Sequence, residues 1–184
     1  MSLVLYLVLP ASFASLPKEL APRWLGVIAL LTIFFPLVTL LLMKALGFVQ
    51  SIQLKTSRER IMPLMATMIF YFWVSHVFNH FPQVPLLLRA LLLGSFWAII
   101  AVFMCNIFVK ISMHTAAAGG MVALMTLLLF RSPANMFLPV SVALVIAGLI
   151  GTARMYLKEH RIAEIWLGYI VGFLAQLGAW WWLV

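Results

Sequence analysis

"LLLRALLLGSFWAIIAVFMCNIFVKISMHTAAAGGMVALMTLLLFR", residues 86–131, decides the fold. An apolar run from about 86 to 109 meets a short polar break at "KISM", and a second apolar run follows from 114 to 131. The hydrocarbon core of a bilayer is about 30 Å thick, which a helix crosses in ~20 residues. Peptide groups in lipid must find their hydrogen bonds within the chain, so such runs predict helices. The stretch therefore reads as two spans joined by a tight polar turn.

Outward from this pair the pattern repeats. Further spans are expected at about 24–48, 61–79, 135–153 and 161–183, and a short or partial apolar segment at 2–16. The breaks combine charge or proline: Pro17 and Pro22, "QSIQLKTSRER", "HFPQVP", "RSPAN" and "KEHR". Of the 184 residues, 66% are hydrophobic and 9% charged, which excludes a soluble globular domain. The expected fold is all-α, a polytopic transmembrane bundle of six core helices plus the N-terminal segment, in one membrane domain over 1–184. "MSLVLYLVLPASFASL" lacks the basic start of a cleavable signal peptide. Cys105, the single cysteine, lies deep in an apolar run and is expected to pack as a small apolar side chain.

Twelve Lys and Arg against four acidic residues give a net charge of +8. The cations gather at span ends, which points to anionic lipid head groups or a phosphorylated lipid and away from nucleic acid. Two spans separate the loop at 50–60 from that at 109–114, and two more separate that from the loop at 154–160. All three loops thus open on one membrane face. The positive-inside rule does not orient that face, because its cations tie with the others once those suited to chemistry are set aside.

On the shared face stand Lys55, Arg58, Arg60, Lys110, Ser112, His114, Arg154 and His160. Guanidinium and ammonium groups with so little acid suit a phosphate better than a hard divalent cation, which wants several oxygen ligands. A helix starting near Ser112 to His114 would add free N–H groups and its positive dipole end. Glu164 follows His160 by four residues, so on a helix its carboxylate can accept the imidazole N–H and fix one tautomer. A nucleophilic histidine needs such a partner. Arg154 and His160 are six apart, so the chain is expected to turn between them for both to face one site.

These residues, at these spacings, resemble the type 2 phosphatidic acid phosphatase (PAP2) superfamily of membrane lipid phosphatases, whose motifs are K-x6-R-P, P-S-G-H and S-R-x5-H-x3-D. The second motif appears as Ile111, Ser112, Met113 and His114, and the third as Ala153, Arg154, His160 and Glu164. The first is met by Lys55, Arg58, Arg60 and Pro63, with Met62 where the family has arginine; Arg60 is the reading for that role and Arg58 the alternative. The likeness covers roughly residues 50–175, within a PAP2-like core over about 24–184. It implies hydrolysis of a lipid phosphomonoester or diphosphate without metal or cofactor. His160 would attack phosphorus, Glu164 would orient it, and His114 would protonate the leaving oxygen and activate water. Lys55, Arg60, Arg154 and Ser112 would hold the phosphoryl oxygens, and Lys110 would replace a lost contact. Phosphatidate, phosphatidylglycerol phosphate and a prenyl diphosphate are all substrates of the implied kind, and the implied location is a bacterial inner membrane with the site facing the periplasm.

The competing expectation is a membrane protein that binds or moves anionic lipids without chemistry, since its basic face would look the same. His76 and His80, at i and i+4 in "SHVFNH", have the spacing of metal-binding helices but read as interfacial polar anchors. Four histidines are too few for a membrane di-iron oxygenase. Ala116 to Gly120, Gly148 with Gly151, and Gly168 with Gly172 read as helix-packing positions.

Overall fold

The computed structural model describes residues 20–49, 57–131 and 135–184. The apolar segment expected at 2–16 lies outside them, as does Lys55. The described chain is helical, and six of its segments are long and apolar enough to cross a membrane. The first described span is α1 (Leu20–Ala29), a π-helical turn (Leu30–Phe34) and α2 (Phe35–Ala45) in one continuous rod. The others are α3 (Ser57–Asn79), α4 (Leu86–Phe108), α5 (Met113–Arg131), α6 (Phe137–Tyr156) and α7 (Ile162–Leu183). The chain is therefore an integral membrane protein of polytopic α-helical type.

Local chemistry sets the ends. Pro85 precedes α4 with extended backbone and cannot continue a helix backwards. Gly47 takes φ 79° just past α2, the left-handed conformation that ends helices. Pro63 inside α3 removes a backbone donor, and the Thr67 hydroxyl donates to the Pro63 carbonyl at 2.7 Å. In the third charged stretch the sequence reading ended the span too early: α6 continues to Tyr156, so Arg154 stands in its last turn and only 157–161 form a loop. Ala153, Arg154 and Met155 all favour helix, and no glycine or proline stops it there.

α7 is the centre of the packing. It lies against α5 and α4, while α3 packs on α4 and α6 leans on α5 with little contact to α7. Small residues make the α5–α7 seam possible: a methyl group at Gly172 would collide with the Ala116 carbonyl, and one at Gly168 would lie 2.7 Å from the Ser112 carbonyl oxygen. The backbones meet directly, as expected for a small-xxx-small pair in a membrane. Gln176 on α7 donates to the Ala90 carbonyl on α4 at 2.9 Å. One core cluster, including Val74, Phe78, Leu88, Leu91 and Leu124, fills one half of the bundle. A smaller one of Leu64, Val102, Ile111 and Ala116 lies under the α4–α5 turn, with Cys105 partly buried against it.

Candidate functional site

Hydrogen bonds between distant loops bring the charged segments together, as span parity predicts. Arg60, in the first turn of α3 and almost fully buried, donates from a guanidinium nitrogen to the Ile111 carbonyl at 3.1 Å. Lys110 Nζ donates to the Glu159 carbonyl at 2.7 Å, tying the α4–α5 turn to the α6–α7 loop. The Ser112 N–H approaches the Glu164 carbonyl at 3.4 Å, which fixes the turn against the first turn of α7.

The α4–α5 turn is held from below. Ile111, where the PAP2 pattern has proline, is completely buried, so insertion of its side chain into the small core anchors the turn. Ser112 is also completely buried, and its hydroxyl accepts from the Thr115 N–H at 3.4 Å, the bond of a helix N-cap residue. The Thr115 hydroxyl returns a bond to the Ser112 carbonyl at 3.1 Å. The side chain expected to touch phosphate is thus engaged in starting α5. His114, one residue into that helix, is exposed on the loop side, within electrostatic reach of Arg154, Glu159, His160 and Arg60.

At the junction of the α6–α7 loop with α7, His160 Nδ1 lies 2.7 Å from Glu164 Oε2, and the His160 side chain is only 3% exposed. An ionised carboxylate can only accept, so Nδ1 carries the proton and the Nε2 lone pair is left for other use. Burial lowers the His160 pKa first, the Glu164 hydrogen bond raises it, and the Arg60 and Lys110 charges lower it; the net direction is below the ordinary histidine value. The ring is therefore neutral at neutral pH.

Glu159 is the participant that sequence reasoning missed. Its Oε2 accepts from an Arg154 guanidinium nitrogen at 2.7 Å, and this bond holds its pKa below the usual carboxylate range, against partial desolvation. The loop reversal that creates the pair comes from Lys158, whose φ of 53° is left-handed without being glycine. Neither feature has a sequence signature: Glu159 reads as one charge in "KEHR", and nothing marks Lys158 as a left-handed position.

The structure thus gathers Arg60, Lys110, Ser112, His114, Arg154, His160 and Glu164 at one end of the bundle. Arg58 starts α3 at the same end, with only its backbone described. Among the described residues no group of three or more His, Cys, Asp or Glu gathers with metal-binding geometry. His80 Nδ1 is 2.8 Å from the His76 carbonyl oxygen and the His76 ring stacks on Phe72, so both find partners in the last turns of α3.

Fold and site together define a class: an α-helical membrane protein whose described residues form six membrane-length helices, with a buried histidine–glutamate dyad inside a basic loop cluster. No protein-family model, curated protein or solved structure matches the chain.

Proposed function

We propose that the protein is a membrane lipid phosphatase that hydrolyses a phosphomonoester or diphosphate of a lipid through a phosphohistidine at His160. The observation that carries this reading is the 2.7 Å contact between His160 Nδ1 and Glu164 Oε2, beside cations from two other loops. A neutral imidazole with its Nδ1 proton held by a carboxylate presents Nε2 as a nucleophile. In the first step Nε2 forms a bond to phosphorus, the bond to the leaving oxygen breaks, and a protonated His114 supplies that oxygen's proton. In the second, water gives its proton to His114 and attacks phosphorus, the P–N bond breaks, and inorganic phosphate leaves. Arg154, Lys110 and the α5 N-terminus neutralise the phosphoryl oxygens, where charge builds in the transition state. Arg60 braces the turn through the Ile111 carbonyl.

A second reading has a specific observation in its favour. Arg154 carries an internal carboxylate and the Ser112 hydroxyl caps a helix, an arrangement also suited to a protein that only binds anionic lipid. The two separate at His160, because binding needs charge there and catalysis needs a nucleophile. Phosphate release by the purified protein from a panel of lipid phosphates, with chelator present, should be abolished in His160→Arg while vesicle binding persists. Release surviving in that variant contradicts the mechanism, and activity destroyed by chelator contradicts its metal independence.

A further inference from the structure

Between α6, α7 and the middle of α5 lies an open-sided cavity of about 630 Å³. Its walls include Leu144 and Gly148 on α6 and Trp166, Ile170 and Leu174 on α7. Both hydroxyls among its lining residues are spent on α6: Thr152 donates to the Gly148 carbonyl at 2.8 Å, and Tyr169 donates to the Ala147 carbonyl. A wall without free hydroxyl donors suits hydrocarbon. The volume lies within the range of about 300–1,000 Å³ found for small-molecule sites.

Three features say what fits. Met155 directly follows Arg154, and Ile162 lies two residues beyond His160, so one end of the groove is lined by chain neighbours of the basic cluster. From Leu144 to Met155 the helical rise is about 17 Å. That is close to half of a ~30 Å hydrocarbon core, the depth of one leaflet. Gly148, expected to be a packing glycine, has nothing within 4 Å of where a Cβ would stand, unlike Gly151, where that atom would meet the Tyr169 ring and Ile165. No close helix contact explains Gly148, whereas an open groove does.

We infer that this groove holds the hydrocarbon tail of the lipid whose phosphate sits among Lys110, Arg154 and His160, so that the ligand is a lipid phosphate with a tail of full leaflet length. The identity of the head group rests on the phosphatase reading; the groove as a tail site does not require turnover.

The test uses the full chain in lipid nanodiscs with a phosphatidate whose acyl chain carries a diazirine near its methyl end. Photolysis should label residues within 144–155 and 162–174. Excess unlabelled phosphatidate should reduce labelling about tenfold and phosphatidylcholine should not, a difference of the size expected for a selective site. Gly148→Trp should remove the label, and Val145→Trp, on the same helix but outside the groove, should keep it. Leu144→Trp fills the same space should the glycine variant misfold. Equal displacement by phosphatidylcholine, or labelling centred on α3 and α4, would each overturn the inference. Selective labelling without phosphate release keeps the groove and removes the phosphatase; phosphate release without groove labelling does the reverse.

Discussion

Two faces of α7 differ sharply. Towards α5 it meets backbone with backbone through Gly168 and Gly172, and this seam carries the Ser112 turn and the start of the Glu164 helix. Towards α6 it is nearly free, with Tyr169 bridging a groove. The tight seam holds His114, His160 and Glu164 in register, since all three sit at the ends of the helices it joins. The loose side carries Arg154 and Glu159, whose mutual pairing the proposed phosphate ligand would have to replace. Under the proposed mechanism the groups that would carry chemistry stand on the tightly packed side, and the anion contact on the sparsely packed one.

The largest effect should follow from breaking the seam. Gly172→Leu forces a side chain into the Ala116 carbonyl, where neither backbone can yield. Overpacking of this kind costs typically about 1–3 kcal/mol and more against backbone. The variant should lose its monodisperse elution in detergent or its cooperative thermal transition. Gly148→Ala, placed in open space, should leave the transition within a few degrees. Equal damage from both would erase the distinction between the two faces.

The next effect concerns the dyad. A His160 pKa below the ordinary value of about 6.5 means that the nucleophile stays neutral as pH falls, so the acid limb of kcat/KM should lie below that pH. Glu164→Gln removes the carboxylate charge that raises the pKa, which moves the limb further down. It also frees the ring to take the wrong tautomer, and the rate should fall by about 10²-fold or more. An acid limb at or above 6.5 in the unaltered protein would contradict the arrangement.

A smaller effect is expected on the loose side. The Arg154–Glu159 pair is partly exposed, Glu159 at 45% of its side chain, and exposed pairs contribute roughly 0.2–1 kcal/mol. Glu159→Gln should therefore lower the inhibition constant of inorganic vanadate by about two- to fivefold. The pair should also loosen as pH falls through the depressed carboxylate value, so this advantage of the variant should shrink in acid. Weaker vanadate inhibition in Glu159→Gln would make Glu159 part of the phosphate site instead of its competitor.

Much of the architecture was legible because membrane length and apolar content act at every span, and helix ends moved by only a few residues. The shared face of the three loops was legible from parity, and the His160–Glu164 contact from a four-residue spacing on a helix that did form. Glu159 escaped because its role depends on a left-handed Lys158 that no glycine announces. The sequence points Ser112 at phosphate, whereas its hydroxyl serves as a helix cap, a use of serine that the sequence makes equally available. Gly148 reads from sequence as a packing position because a small residue looks the same beside a neighbouring helix and beside an open groove.

The most direct test is to trap the covalent step. Purified protein mixed with a lipid phosphate in the presence of chelator, quenched in base and digested, should give a phosphorylated peptide containing His160, stable in base and lost in acid. The modification should be absent in His160→Ala and should persist longer in His114→Ala, which lacks the group proposed to activate water. Phosphate release without a phosphopeptide in either protein, or a phosphoryl group on another residue, would contradict the account.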